Sequence, residues 1–309
     1  MDPLILTIKK GKFVNIFLVI ILIIHSIGIL AKQRQQYNTA ESILHSALKL
    51  AQDASNVDAE TYIFDVMADN YFEKKDFAKA KDLYLAVISR LSVKENFSYQ
   101  SEEFVEISIK LAYCFSKLGQ YDSSEKGFQF SIDTQLGRTD KIWNNQLSIV
   151  RNKDEELDEL QLNSLALLGM CYDYYSKHLE RNSQLFEYAL AYRLKALKIS
   201  RVINGTKHEQ TLVLENDVAD LYLQIEDYDK AEAHLRRAIN GAKSSNSSYL
   251  PLYYLNMASL HHHKDHLDLA QPYCKKSLKL LHKFNEISPE DKQLWQQKSE
   301  NCLNGHKFY

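Results

Sequence analysis

Glycine and proline are scarce in this chain, at 9 and 4 of 309 residues. Turn-rich β-sandwiches and barrels draw on both residues at short intervals, so that class is disfavoured and helices joined by short polar turns are expected. A Gly-rich phosphate loop is also lacking, which removes the usual nucleotide-binding signatures. The four cysteines, Cys114, Cys171, Cys274 and Cys302, are far apart in sequence and show no metal-ligand spacing. They read as reduced thiols, with those in repeat helices serving as small hydrophobes, and a secreted disulfide scaffold is not indicated. An excess of positive charge is missing too. The formal net charge is −2, and because residues 1–35 hold five basic residues and one acidic one, the remainder carries −6. A mildly acidic body of this kind does not suit nucleic acid, which needs clustered Lys and Arg to neutralise phosphates.

No catalytic constellation stands out. His261, His262, His263 and His266 invite a metal reading, but only Asp265 and Asp268 accompany them. A packed or solvent-facing histidine run is the simpler explanation. Cys171 and His178 lie two helical turns apart, and a core cysteine accounts for the first of them. No metal, no cofactor and no enzymatic activity are expected.

What the chain has in abundance is tyrosine, 19 residues, set among small residues at helical spacing. The stretch Asp227–Ile239, DYDKAEAHLRRAI, states the pattern most clearly. Ala231 and Ala238 are seven residues apart, so they share one helix face and let another helix approach closely. Upstream, Ala219 and Tyr222 supply the matching notch of a first helix, and Asp227-Tyr228 forms the turn. The same hairpin recurs. Its anchor small residues are Ala40, Ala80, Ser124, Ala189, Ala231 and Ala270, at spacings of 40, 44, 65, 42 and 39. Their first-helix counterparts are Ala68, Ala112, Gly169, Ala219 and Ala258. Repetition at this period signals a solenoid whose units bury their apolar faces on their neighbours. The long interval before Ala189 contains a break over 136–162 and an insertion over 177–186. A connection is expected over 241–248, and Ser288-Pro-Glu-Asp291 caps a final helix.

Residues 13–31, FVNIFLVIILIIHSIGILA, run for nineteen positions without a formal charge. As a helix this is about 28 Å long, close to a bilayer core of ~30 Å. A membrane anchor, a cleaved secretory signal ending near Ser26-Ile27-Gly28 and a buried helix of the soluble body all remain open, with the anchor the best fit. Three sequons, at Asn96, Asn204 and Asn246, would carry sugars only in a secretory compartment. The expected organisation is a short basic N-terminus (1–12), a transmembrane helix (13–31), a repeat solenoid (36–283) and a C-terminal capping helix (288–303).

The small-aromatic-small signature resembles the tetratricopeptide repeat, whose usual period is ~34. Ala40–Leu50, Thr61–Ala68, Val105–Ala112, Leu167–Cys171 and His208–Leu214 resemble, more closely, mitochondrial members of that family that serve respiratory complex III. The shared irregular spacing before Ala189 strengthens the likeness. The fold implied is all-α: a tetratricopeptide-type helical-hairpin solenoid with an N-terminal transmembrane helix. The resemblance also implies an inner-membrane scaffold that binds complex III subunits and helps clear fragments of the Rieske iron-sulfur protein. A secretory-pathway adaptor built on the same repeats is the alternative. In such a solenoid the first helix of each hairpin lines the concave, partner-binding face. The register assigns to that face Tyr62, Asp65, Asp69 and Phe72 from one hairpin, and Ile109, Tyr113 and Lys117 from the next. Asn216, Asp217 and Asp220 follow, then Leu255, Asn256 and Ser259. This face is expected to be aromatic and acidic, suited to a basic or neutral partner segment with apolar anchors. Acids that simply keep an exposed face soluble explain the same pattern.

Overall fold

Helix boundaries in this chain are set by one turn used again and again. The computed structural model describes residue 26 and residues 36–149, 157–284 and 287–304. Among the described residues are twelve α-helices and no strand: α1 (Tyr37–Asp53), α2 (Val57–Glu73), α3 (Phe77–Leu91), α4 (Glu102–Lys117), α5 (Tyr121–Ile149), α6 (Glu159–Leu179), α7 (Phe186–Ile203), α8 (Glu209–Gln224), α9 (Tyr228–Ser245), α10 (Leu250–His263), α11 (Leu267–Leu281) and α12 (Pro289–Leu303). After α1, α2, α4, α8 and α10 one residue turns left-handed, at Ser55 (φ 52°), Lys75 (63°), Gly119 (76°), Glu226 (62°) and Asp265 (56°). The next amide then reaches back five residues: Asn56 to the Ala51 carbonyl at 3.0 Å, and Asp76, Gln120, Asp227 and His266 to Tyr71, Phe115, Tyr222 and His261 at 2.9 Å each. This bond satisfies a carbonyl that the helix end would otherwise leave unpaired. In three cases the same residue also starts the next helix. The Asn56 side chain accepts from Ala59 N–H (3.0 Å), Asp76 from Lys79 (3.3 Å) and Asp227 from Lys230 (3.3 Å). One Asn or Asp therefore closes one helix and caps its successor, which folds the pair into a hairpin.

The helices of each pair then meet through their small residues. Ala40, Ala80, Ser124, Ala189 and Ala231 have no exposed surface and Ala270 has 1 %. Their counterparts Ala68, Ala112, Ala219 and Ala258 are also buried. Two contacts show how tight the seats are. A methyl group built on Gly127 would lie 2.8 Å from the Ala112 Cβ, inside the contact limit and against a side chain that has no freedom to rotate away. At Gly169 the corresponding group would lie 3.1 Å from Ile199 Cγ2. Where an anchor is Ser124, its hydroxyl donates to the Ala112 carbonyl across the seam at 2.8 Å, so the polar atom is satisfied inside the contact.

The chain forms two compact units, up to Gln129 and from Phe130 onward. In the first, α1 to α4 pack each on the next, with the rings of Phe72, Phe77, Tyr84 and Tyr113 clustered between hairpins at centroid separations of 5.6–6.4 Å. In the second, α6 to α12 pack in sequence, and α12 also touches α10. The all-α repeat architecture is as expected from the sequence, with three local differences. Helix α5 continues to Ile149 through much of the stretch read as a break in the period. Helix α9 runs past Gly241 to Ser245, because that glycine is not a loop residue: a methyl group there would sit 2.2 Å from Leu212 Cδ2 of α8. The cysteines are not all reduced. Cys274 and Cys302 form a disulfide, because α12 folds back on α11 and brings their Cα atoms to 6.5 Å despite a sequence separation of 28. The other pair, Cys114 and Cys171, are free and buried. The apolar segment 13–31, apart from Ser26, lies outside the described residues, and no helix among the described residues is long and apolar enough to cross a membrane.

The disulfide holds a helix that also packs through Trp295 onto Leu255, Leu281, Phe284 and Ile287. Closing a loop of this size stabilises a fold by about 2–4 kcal/mol in the chain-entropy model. Cys302→Ser should lower the unfolding free energy by that amount in urea titrations. Dithiothreitol should lower the wild type equally and leave the variant unchanged.

Candidate functional site

The first helices of the hairpins carry the residues assigned to partner binding. In the first unit, Tyr62, Asp65 and Asp69 of α2 are half-buried and Phe72 is buried. Phe72 meets Tyr113 of α4 at 5.6 Å between ring centroids, so these two expected site residues are brought together. Asp69 is less available than its sequence position suggests. Its carboxylate accepts from the Tyr84 hydroxyl at 2.6 Å and from Lys110 Nζ at 2.8 Å. Ile109 and, in the second unit, Leu255 are core residues with 0 % and 2 % exposure, so neither lines a binding face.

In the second unit, Asn216, Asp217 and Asp220 follow one another on α8. Asn216 is buried and its side-chain oxygen accepts from Asn256 Nδ2 of α10 at 2.8 Å. Asp217 pairs with Arg193 of α7 at 3.1 Å. Arg193 is itself almost fully buried, and it also holds Asp173 and Glu180 of the α6 end and donates through Nε to the Ser176 hydroxyl at 3.1 Å. Lys177 adds a second cation, 2.7 Å from Asp173. A buried guanidinium is costly unless its charge and donors are met, and three carboxylates meet them here. Burial works against the Arg193 charge, but those carboxylates outweigh it and hold the guanidinium protonated.

The expected acidity of this face is therefore reduced: Asp69 and Asp217 are occupied by cations from neighbouring helices. The sequence reading missed Arg193, although a signal existed. It shares the buried stripe of α7 with Ala189, Ala196, Leu197 and Ser200, and a charged residue on such a stripe needs internal partners. Asp220 keeps solvent contact on the same face. Surrounding protein mass, and then the nearby charges of Asp217 and Glu180, push its carboxyl up to about 6.

Between α6 and α8, above α7, the structure opens a groove of about 420 Å³. Gly169, Met170, Ile203 and Leu214 give it an apolar floor, and Tyr174, Lys177 and Gln210 give it a polar edge. The register assigns none of these residues to the binding face and uses Gly169 only as a packing notch; it placed the face but not where the floor opens. Catalytic groups are not apparent here. Burial pushes the Cys171 thiol up to about 12, so it is a thiol and not a thiolate at neutral pH. His261 is buried and stacks on Tyr273 at 5.5 Å, and among the described residues no group of three or more His, Cys, Asp or Glu is placed to hold a metal ion.

A raised carboxyl pKa has a defined consequence. Between its ordinary value of 3.8 and about 6, folded Asp220 keeps a proton that the unfolded chain releases. Stability is thus lost as pH rises through that window. Asp220→Asn should melt at the same temperature as wild type near pH 4 and at a higher temperature at pH 7, as read by circular dichroism.

Residues 174–244 match the family model described as tetratricopeptide repeat. Over 250 residues the chain is 30 % identical to mitochondrial tetratricopeptide repeat protein 19 of Rattus norvegicus, an alignment covering 81 % of this chain and 66 % of that protein. The Homo sapiens protein of the same name is 29 % identical, covering 84 % and 66 %, and the Drosophila melanogaster homologue is 25 % identical, covering 91 % and 72 %. The chain spans about two thirds of the length of the rat and human relatives. Among solved structures it is similar to BtubC from P. vanneervenii (18 % identity, TM-score 0.57, covering 83 % of this chain and 94 % of that one). It is also similar to a Rap protein complexed with competence and sporulation factor (14 %, TM-score 0.59, covering 97 % and 77 %). At these identities the likeness is one of fold.

Proposed function

We propose that this chain, which belongs to the tetratricopeptide repeat protein 19 family, is a non-catalytic, membrane-anchored scaffold of the mitochondrial inner membrane. It supports assembly and maintenance of respiratory complex III. It does so by binding subunits of the complex, including the Rieske iron-sulfur protein, and by helping to clear Rieske fragments. The observation that carries this reading is the similarity to curated mitochondrial relatives across more than four fifths of the chain. Residues 13–31 supply the anchor, as their length and lack of charge suggest.

Partner capture takes place on the face formed by the first helices. A helical repeat holds an extended or helical segment by seating apolar side chains between helices and matching charge at the edge. The α6–α8 groove offers Met170, Ile203 and Leu214 as seats. Asp173 and Asp217 are already neutralised by Lys177 and Arg193, so Asp220 is the acid left to select charge on α8. The segment captured is neutral or basic with apolar anchors, and on the first unit Tyr62, Asp65, Phe72 and Tyr113 offer a binding face of their own.

A second reading, a secretory-pathway adaptor, draws support from the Cys274–Cys302 disulfide and from the exposed sequon residues Asn96 and Asn246. Disulfides persist in oxidising compartments. Electrophoretic mobility before and after deglycosylation separates the two, since a mitochondrial protein does not change.

Tagged full-length chain purified from isolated mitochondria should bring down complex III subunits, with the Rieske protein among them. Asp220→Lys should reduce that recovery several-fold while leaving the protein level unchanged. Recovery of other complexes alone, or undiminished recovery with the variant, would remove the respective part of the proposal.

A further inference from the structure

In the second unit, between the second helices α7 and α9, lies a pocket of about 740 Å³. Its lining includes Arg201 of α7, Lys207 of the α7–α8 loop and Arg237 of α9. One acid faces them. Glu215 of α8 has 3 % of its side chain exposed and accepts from three groups: Arg201 through Nε (3.1 Å) and Nη2, His234 Nδ1 (2.8 Å) and Arg237 Nε (3.2 Å). Burial opposes the Glu215 charge, but the hydrogen bonds from His234 and Arg201, with that of Arg237, outweigh it and keep its carboxyl below the ordinary value.

This arrangement does more than neutralise a carboxylate. A single arginine would satisfy Glu215, yet two guanidiniums and an imidazole converge on it. The acid uses Nε of Arg237 and the Nε, Nη2 edge of Arg201. Both terminal nitrogens of Arg237 and Nη1 of Arg201 are left without a partner among the described residues, while the side chains are held in place by the buried anchor. The left-handed turn at Gly205 (φ 82°) carries the loop that brings Thr206 and Lys207 to the pocket. Lys207 has no ion-pair partner among the described residues. Three cations against one carboxylate leave the pocket with surplus positive charge. Leu194 supplies an apolar contact beside it.

We propose that this pocket binds a terminal phosphate group, carried by a small molecule or by a phospholipid headgroup whose remaining part rests on Leu194. Guanidinium edges fixed in place by a buried acid are suited to bidentate donation to a tetrahedral oxyanion, and Lys207 adds a mobile third charge. The volume falls within the ~300–1,000 Å³ typical of small-molecule sites. The pocket shares no lining residue with the α6–α8 groove.

The test is isothermal titration of the purified full chain with inorganic phosphate, and separately with short-chain dihexanoyl phosphatidate against dihexanoyl phosphatidylcholine, at constant ionic strength. Short-chain lipids below their micellar concentration separate headgroup binding from insertion of an apolar anchor. Saturable binding of phosphate and phosphatidate supports a site that needs the phosphate alone. Binding of phosphatidate but not phosphate or phosphatidylcholine assigns it to a headgroup with its apolar part. In either case Lys207→Gln should weaken binding about tenfold, and Lys207→Gln with Arg237→Gln should abolish it. Lys207 is an exposed loop residue, so the single variant keeps its fold and the test stands even if the double variant does not. No saturable binding of any probe, equal binding of phosphatidylcholine, or binding unchanged by Lys207→Gln overturns the proposal.

Discussion

The close approach of paired helices over tiny side chains is the constraint on which the structure depends. Six anchors, Ala40, Ala80, Ser124, Ala189, Ala231 and Ala270, are sealed from solvent, and each belongs to a helix that follows a first helix or stands in for its partner. Protein interiors are packed to crystal density, so a seat sized for a methyl group does not accept a larger one without moving a backbone. The tight turns follow from the same constraint. Five of the connections are three residues long, each with a left-handed residue, and in three of them the capping Asn or Asp that follows leaves no helix end unpaired.

Charge is then organised by what the seams leave over. On the face of the first helices, carboxylates are tied to cations from neighbouring helices, Asp69 to Lys110 and Asp217 to Arg193. These pairs fix the hairpins against one another and leave an apolar floor with a thin acidic margin. On the face of the second helices the balance reverses, and one buried acid gathers three basic side chains.

The hairpin pattern was legible in the sequence because it depends on local spacing. Alanines seven apart, an aromatic residue one turn away and an Asp at the turn recur often enough to fix the register without any tertiary information. What was not legible came from long-range partners. Lys110 and Arg193 quench acids that look free when each helix is read alone. Cys274 and Cys302 meet only because α12 folds back on α11, and α12 looks polar in sequence apart from Leu294 and Trp295. Gly241 read as a loop residue because glycine marks both turns and close approaches, and the 2.2 Å contact that distinguishes them belongs to Leu212 on another helix. The α6–α8 floor escaped because its depth depends on Gly169, a position the register used only as a packing notch.

The claim that small seats hold the hairpins together is tested most directly by urea unfolding of Ala231→Leu beside Ala233→Leu. Both alanines lie in α9, the first with no exposed surface and the second exposed. Overpacking the seat should cost about 1–3 kcal/mol, whereas the exposed substitution should change stability by less than about 0.5 kcal/mol. Equal effects at the two positions would contradict the account.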